Sequence, residues 1–284
     1  MKVTPRNLEC NKSLFIYVAR NLLILITVVL VVWFLATSNI RISNTMNVIR
    51  GMPSGESQKK YCNVYNEIPS KEITDKFNAY TYKAPTGKIH KIFGYGLNDL
   101  ISNTISKQGS WEGHILAPID LMYKADPSLG LIDLGCNIGS FSMAAASRGV
   151  KVVSLDANLN NVRRLRHSVL TNGFEKHVTV VHNALLDKRE TVYMKLINDN
   201  IGGSELSNKD VATTGTEVKS ILINDLLEVI DFKRAIMKVD IQMREYFAFQ
   251  HADLLFSKIN ITHVYMEWMA ASYPKDKYQY EYLK

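Results

Sequence analysis

Short apolar runs alternate with segments of helical spacing through the second half of the chain. Strands are predicted at residues 131–134, 151–155, 178–182, 235–240 and 261–268. Helices are predicted between them at residues 140–147, 158–171, 223–230 and 244–256. A parallel sheet covered by helices requires this alternation. We therefore expect an α/β domain built on a doubly wound sheet.

Residues 22–40 form a long apolar stretch near the start of the chain. They contain no charged residue and are bounded by Arg20 and Arg41. At about 1.5 Å per helical residue, this run is long enough to cross a bilayer. Because the preceding segment is short and basic, we expect a type II signal anchor, in a single-pass membrane protein of the secretory pathway such as the Golgi or endoplasmic reticulum. A signal peptide cleaved after Ser38 is the alternative.

These patterns divide the chain into a basic amino terminus, an anchor, a stem, an accessory helical region and the sheet domain. The stem is rich in glycine, proline and polar residues and has no sustained periodicity. The accessory region is expected to hold helices at residues 97–106 and 111–124, the second with Ser110 as its N-cap. The expected bounds of the five segments are 1–21, 22–40, 41–79, 80–130 and 131–284.

The first predicted strand ends in a turn bracketed by Gly135 and Gly139. Glycine at both positions leaves room for a ligand to approach the backbone. The helix that follows would point free N–H groups at a carboxylate or phosphate. The next strand ends in Asp156, about 20 residues further on, where such folds place the acid that binds ribose hydroxyls. Alternatively, the glycines only form a tight turn and Asp156 only caps a helix.

The spacing of this turn distinguishes two classes of nucleotide. Dinucleotide-binding turns typically read G-x-G-x-x-G, whereas residues 133–139 read D-x-G-x-x-x-G. The second pattern resembles an S-adenosylmethionine site, in which Asp133 and Asp156 would frame the cofactor. A nicotinamide-dependent oxidoreductase is disfavoured, because the second glycine of G-x-G is absent.

Net charge and cysteine content limit the kinds of partner and metal site to expect. The formal net charge of +7 would suit acidic ligands, membrane headgroups or nucleic acid. Basic residues are not interleaved with aromatic ones in an RNA-binding pattern, so no nucleic-acid partner is expected. The cysteines, Cys10, Cys62 and Cys136, are too few and too scattered for a disulfide framework or a zinc site. We therefore expect no metal.

Several pieces of the sequence together resemble the FkbM-type family of S-adenosylmethionine-dependent methyltransferases. The resemblance covers about residues 111–268. It implies a Rossmann-like class I methyltransferase that transfers a methyl group from S-adenosylmethionine to a hydroxyl of a sugar, lipid or small molecule. The pieces are W-E at 111–112, I-D-L-G-C-N-I-G at 132–139, H-N-A-L at 182–185, N-I-G-G-S at 200–204, I-N-D-L-L at 223–227 and M-K-V-D at 237–240.

The resemblance also suggests roles for individual residues. Asn183 would bind the adenine amino group, with an asparagine turn as its alternative. Asp240, at the end of the fourth strand, would remove the proton of the hydroxyl; its alternatives are capping the next helix or binding the amino group of the cofactor. Glu112 is the second catalytic candidate, although a glutamate at a helix start is favourable on dipole grounds alone. The cofactor-binding candidates are Asp133, Gly135, Asn137, Gly139, Asp156 and Asn183.

Two departures from the family pattern weaken the expectation of activity. Residues 240–244 read D-I-Q-M-R, where the family typically has Asp, an apolar residue, Glu, Gly and an aromatic residue. Gln242 cannot accept a proton as glutamate does, so a cofactor-binding pseudoenzyme or scaffold is the alternative function. The chain also stops soon after the fifth strand, so we expect the last two strands of the sheet to be missing. That would leave an apolar edge at 264–266, exposed or covered by a partner.

Overall fold

A five-stranded parallel sheet forms the centre of the computed structural model, which describes residues 61–65, 77–195, 205–207, 216–242 and 244–267. The strands are β1 (Asn78–Lys83), β2 (Ile89–Gly94), β3 (Leu129–Leu134), β4 (Val152–Asp156), β5 (Val178–His182), β6 (Ala184–Leu185), β7 (Thr191–Lys195), β8 (Glu205–Ser207), β9 (Thr216–Ile221), β10 (Arg234–Val239) and β11 (Asn260–Met266). The helices are α1 (Leu100–Gln108), α2 (Gly113–Ala125), α3 (Ser140–Ser147), α4 (Leu159–Thr171), the 3-10 helix Ile223–Glu228, α5 (Glu245–Phe249) and α6 (Asp253–Lys258).

The central sheet has the strand order β11-β10-β3-β4-β5, and every neighbouring pair is parallel. This confirms the predicted α/β class, and the order is compatible with a Rossmann-like sheet. The chain runs outward from β3 through β4 to β5, and then returns to place β10 on the other side of β3. Ligands bind at such a reversal, outside the carboxyl ends of the strands.

Alternation along β3 and β10 places two charged side chains inside the fold. Leu131 and Ile236 pack in the core that includes α3 and α4, whereas Ile132 packs in the core on the opposite face. Because successive residues of a strand point to opposite faces, Asp133 shares the face of Leu131, and Lys238 shares the face of Ile236. Asp133 and Lys238 are also register partners. An acid and a base therefore lie side by side beneath α3.

Several helices and strands lie where local sequence signals predict them. α3 and β5 have the predicted bounds. Asn158 caps α4 by accepting a hydrogen bond from the Asn160 N–H at 3.0 Å. Along α4, Val162, Leu165 and Val169 are fully buried at helical spacing. Apolar periodicity and capping were sufficient signals here.

Four predicted helices differ from the structure, and the one expected at residues 223–230 is the shorter 3-10 helix Ile223–Glu228. α1 begins later than expected, because Asp99 accepts a hydrogen bond from the Ser102 N–H at 2.9 Å and caps it. Ser110 is not the cap of α2; the cap position belongs to Glu112, which has a left-handed backbone and no capping side-chain bond. The predicted single helix at 244–256 is wrong, since it divides into α5 and α6. Asn224, on the distant 3-10 helix, accepts the Leu255 N–H at 2.8 Å and so caps the first turn of α6.

Two sheets were not predicted. β1 and β2 form an antiparallel hairpin, and β1 begins within the predicted stem. β6, β9, β7 and β8 form a second sheet in that order. It lies between the third and fourth strands of the predicted core in the sequence. Both sheets are additions to the predicted α/β core.

Residues 61–65, also within the predicted stem, are attached to the sheet domain. Val64 forms an antiparallel bridge with Val181, and the Asn63 carbonyl accepts the His182 N–H at 3.0 Å. The Tyr61 N–H donates to Glu228 Oε2 at 2.9 Å. Cys62 is buried in the core. This part of the predicted stem therefore belongs to the folded domain.

The predicted membrane span at residues 22–40 lies outside the described residues, so the anchor and its orientation stay predictions. Among the residues that are described, no helix has both the length and the apolar character needed to cross a bilayer. Within the same ranges, no strand pairs with the outer edge of β11. Residues after Glu267 lie outside the description, so the absence of two closing strands also stays a prediction.

Removing residues 61–65 should destabilise the domain. A chain beginning at residue 77 loses the bridge at Val64 and the hydrogen bonds at Tyr61 and Asn63. At about 1 kcal/mol for each hydrogen bond, we expect it to unfold with at least ~3 kcal/mol less free energy than a chain beginning at residue 59. Urea denaturation of both chains measures this difference. Equal midpoints would show that the segment is only a tether.

Candidate active site

An open cavity lies at the carboxyl ends of the central strands. It is lined by Gly135 directly after β3, by Asp156 at the last position of β4, and by Asp240 directly after β10. Because β3 lies between the other two strands, Asp156 and Asp240 lie on opposite sides of the turn after β3. The other lining residues are Asn137, Leu155, Ala157, Asn158, Asn161, Asn183, Leu185, Met194, Ile241, Gln242 and Arg244.

The two glycines of the turn have structural roles that the sequence did not reveal. Gly135 has φ +73°, and a Cβ there would overlap the Asp240 carbonyl oxygen. Gly139 has φ +92°, and a Cβ there would overlap the Leu165 side chain on α4. Gly135 therefore lets two loops meet beside the cavity. Gly139 lets two helices pack and is not among the residues that line the cavity, so its predicted contact with a cofactor stays a prediction.

Asp156 holds the rim of the cavity on the β4 side. Its carboxylate accepts the Asn137 N–H and the Asn158 N–H, both at 2.8 Å. It also accepts the Asn161 side-chain amide at 3.3 Å. Burial raises the pKa of Asp156 to about 6, although these three hydrogen bonds oppose the rise. Two carboxylate oxygens can accept about four hydrogen bonds, so this acid retains acceptor capacity toward the cavity.

Asn137 and Asn183 both line the cavity, but their side chains already have partners. Asn137 has φ +51° and accepts the Ile138 N–H at 2.7 Å on its own side-chain oxygen. Asn183 accepts the Asn63 N–H at 2.8 Å and donates to the Lys219 carbonyl at 3.0 Å. The predicted adenine contact of Asn183 would thus use the remaining lone pair or N–H of its amide. Its evident role is to join residues 61–65 to β9.

Asp133 lies beneath the cavity and does not line it. The side chain is fully buried, and its Oδ2 accepts the Ser142 hydroxyl at 2.5 Å. Its Oδ1 has no hydrogen-bond partner and lies 3.9 Å from the Lys238 ammonium. Burial raises the pKa of Asp133, and Lys238 opposes this shift. Asp133 therefore acts on the site through Lys238.

Lys238 connects the buried acid to the cavity. Its ammonium donates to the Gly135 carbonyl at 2.6 Å and lies 3.5 Å from Asp240 Oδ2. Burial lowers the pKa of Lys238, but Asp240 and Asp133 outweigh burial and raise it. The lysine therefore stays charged. It fixes the glycine turn and the acid after β10 in one arrangement.

Asp240 and Glu267 form an acidic pair at the carboxyl ends of β10 and β11. The Gln242 amide donates to Asp240 Oδ1 at 2.7 Å and to Glu267 Oε2 at 3.2 Å. Burial alone would raise the pKa of Asp240, but Lys238 and the hydrogen bonds from Glu267 and Gln242 hold it below its usual value. Partial burial, followed by the contact with Asp240, raises the pKa of Glu267 to about 7.

Backbone strain is concentrated at this site. Among the described residues, the non-glycine residues with positive φ are Glu112, Asn137 and Gln242. Asparagine tolerates this conformation, but glutamate and glutamine adopt it at a cost. Glu112 is close enough to Lys238 and Asp240 for their charges to affect its pKa, which burial raises above its usual value. Strain of this kind is common at active sites.

Comparison with known families identifies the family of the domain. Residues 133–283, more than half of the chain, match the model of the methyltransferase FkbM domain. The chain belongs to the FkbM methyltransferase family. The matched range of this family member contains the glycine turn, Asp156, Asp240 and Glu267, and it begins after Glu112. A search of curated proteins found no match.

The structure thus brings together most residues that the sequence predicted for the site. The lining residues include Gly135, Asn137, Asp156, Asn183 and Asp240, but not Asp133, Gly139 or Glu112. No group of three or more His, Cys, Asp or Glu side chains suited to a metal ion occurs among the described residues.

Sequence reasoning missed Lys238 and Glu267. Lys238 lies in the M-K-V-D piece at 237–240, but no role was predicted for it. The glutamate falls within the predicted fifth strand, where a charged side chain at the strand end, beside Asp240, was the available signal.

Replacing Lys238 by methionine should destabilise the fold at neutral pH. The buried Asp133 would lose its nearby cation, and breaking a buried pair in this way costs about 3–5 kcal/mol. Without the ammonium, burial raises the pKa of Asp133 further, so stability is retained at low pH and lost as pH rises through that pKa. Urea midpoints at acidic and neutral pH measure the effect.

Lys151→Met is the matched control, because Lys151 pairs with Asp231 at 2.9 Å on the exposed surface. Such a pair contributes about 1 kcal/mol or less. Equal losses in the two variants, or a loss in Lys238→Met that does not depend on pH, would contradict the role given to Lys238.

Proposed function

We propose that this family member is an S-adenosylmethionine-dependent O-methyltransferase that methylates a hydroxyl of a sugar, lipid or small molecule. The proposal rests chiefly on the cavity at the strand-order reversal, where Asp156 lies on one side of the glycine turn and Asp240 on the other. One side offers a hydroxyl-binding carboxylate for a nucleoside. The other offers acids for an acceptor.

The cavity residues fit the cofactor. Three of the roughly four acceptor sites of the Asp156 carboxylate are occupied, so it can accept about one further hydrogen bond, from a ribose hydroxyl. Leu185 and Met194 supply apolar lining suited to an adenine ring. Gly135 and Asn137 present the backbone of the turn, where the methionine end would lie. These residues would hold S-adenosylmethionine, and Asp133 would support the turn through Lys238.

The chain's own residues would mainly position the reactants. When bound, S-adenosylmethionine supplies a methyl group on a sulfonium, which is open to attack by an oxygen nucleophile. Asp240 lies beside the turn and is held ionised by Lys238, so it can accept a hydrogen bond from an acceptor hydroxyl and orient it. Orientation of two reactants accounts for a large share of the rate of such displacements.

A cofactor-binding pseudoenzyme is the second candidate, because Gln242 stands where the family typically has glutamate. Gln242 has φ +53° and donates hydrogen bonds to Asp240 and Glu267, so its side chain is held in place within the site. If this glutamine has abolished activity, Gln242→Glu should restore methyl transfer. If it has not, the native chain is the more active of the two.

Membrane anchoring is part of the proposal and rests on the sequence alone. The uncharged run at residues 22–40 supports a type II single-pass protein of the secretory pathway. The acceptor would then be a luminal sugar, a lipid or a secreted small molecule. A partner covering the outer edge of β11 is a further possibility that a pull-down with the full chain would test.

Cofactor affinity should weaken as pH falls. If a ribose hydroxyl donates to ionised Asp156, protonation of a carboxyl with a pKa of about 6 competes with binding. We expect affinity to fall about tenfold between pH ~7 and pH ~5. Calorimetric titration of S-adenosylmethionine into the full chain, with NAD as control ligand, measures this dependence.

Asp156→Asn should remove most of the pH dependence, and Asp156→Ala should lose about 1–3 kcal/mol of binding free energy. Asp253→Asn, on the exposed start of α6, serves as the control variant. Unchanged affinity in Asp156→Ala would reject the ribose assignment.

Asp240→Asn should separate binding from turnover. The variant keeps the shape of the side chain but loses the charge that orients the acceptor, so we expect cofactor affinity within about threefold of wild type and a turnover reduced about 100-fold. Radiolabelled methyl transfer to a panel of methyl glycosides measures turnover. Parallel losses of binding and turnover would make Asp240 a cofactor-binding residue.

A further inference from the structure

Glu267 is held next to Asp240 by the sheet itself. It directly follows β11, and its backbone N–H donates to the Val239 carbonyl at 2.9 Å. Val239 immediately precedes Asp240 at the end of β10. Since β10 and β11 are parallel, both acids emerge at the carboxyl edge where the cavity lies. The pair is therefore fixed by backbone pairing and does not depend on a flexible loop.

Gln242 holds the two carboxylates together. Its amide nitrogen donates one hydrogen bond to each of them, at 2.7 Å to Asp240 and 3.2 Å to Glu267. A side-chain amide has two N–H donors, so this geometry uses both. A glutamate at position 242 would instead add a third carboxylate to the cluster. The glutamine is therefore compatible with an acidic pair in a way that glutamate is not.

We propose that Glu267 is a further catalytic residue, the group that takes the proton of the acceptor hydroxyl while Asp240 orients that hydroxyl. This inference rests on the proposed methyltransferase function. The acceptor oxygen forms a bond to the methyl carbon as the bond from that carbon to sulfur breaks. The electron pair of the broken bond stays on sulfur, and the hydroxyl proton passes to the Glu267 carboxylate.

The charges around Glu267 suit this role better than those around Asp240. Lys238 keeps Asp240 ionised, which makes Asp240 a weak base. Glu267 faces Asp240, Lys238 and Glu112, and the net result of burial and these charges is a pKa of about 7. A general base acts best when its pKa is near the working pH. Glu267 is also exposed on one side, so a captured proton can leave to water.

A titration of the Glu267 carboxyl tests the pair without an acceptor. The full chain in detergent is labelled with ¹³C at the glutamate carboxyl, and its ¹³C spectrum is followed with pH. Glu267→Gln identifies the resonance, and Glu217→Gln, on the exposed part of β9, is the control. We expect a midpoint near 7 that falls toward the ordinary glutamate value, about 4.3, in Asp240→Asn. An ordinary midpoint in the wild-type chain would overturn the proposal.

Methyl transfer then tests the chemistry. With labelled S-adenosylmethionine and a panel of methyl glycosides and neutral polyols, Glu267→Gln should lower turnover about 100-fold or more. Cofactor affinity should stay within about twofold, and Glu267→Asp should recover part of the rate. In the wild type the rate should fall as pH drops below the midpoint measured by titration, and this limb should vanish in Glu267→Gln. An unchanged rate or an unchanged limb overturns the role of Glu267.

The experiments give different results if the methyltransferase proposal fails and if only the role of Glu267 fails. If wild-type chain binds no S-adenosylmethionine, the methyltransferase proposal fails, and the base role of Glu267 fails with it even when the titration shows the pair. If the cofactor binds and no probe is methylated by the wild type or by Gln242→Glu, the chain is a cofactor-binding protein and Glu267 is not a base. Binding and transfer by the wild type, with no effect of Glu267→Gln, rejects only the inference.

Discussion

The charged ammonium of Lys238 is the interaction on which the site depends. It donates to the Gly135 carbonyl, lies 3.5 Å from Asp240 and 3.9 Å from the buried Asp133. Burying a lysine or an aspartate alone destabilises the fold, and burying the two side by side costs less free energy. Their position is set by register, since they are partners on adjacent strands. The turn after β3 and the acid after β10 are thus held together by one charge.

The site divides into two halves at β3. On the β4 side, Asp156 offers carboxylate oxygens at the rim of the cavity and is ordered by backbone N–H groups. On the β10 side, Asp240, Gln242 and Glu267 form a hydrogen-bonded acidic group. Left-handed residues occur on both sides, at Asn137 and Gln242. The family match indicates a methyltransferase, and this division is compatible with the proposed cofactor on one side and the proposed acceptor on the other.

Local signals in the sequence were enough to predict the parallel core and its order of strands and helices, and five of the predicted site residues line the cavity. Apolar runs mark the strands, and Asn158 marks the start of α4. What was missed depends on distant contacts. Asn224 caps α6 within a predicted longer helix, and a Cβ at Gly139 would overlap the Leu165 side chain on α4. The proposed role of Glu267 depends on its position beside Asp240, which is distant in sequence and adjacent across the sheet.

The location of the cofactor is the central claim, and a crystal structure with S-adenosylhomocysteine at saturating concentration tests it most directly. We expect density in the cavity after β3, with a ribose hydroxyl on Asp156 and the sulfur on the side toward Asp240. Density elsewhere, or a ribose that does not contact Asp156, would contradict it. So would an empty cavity in crystals grown at concentrations that saturate the related enzymes of this family.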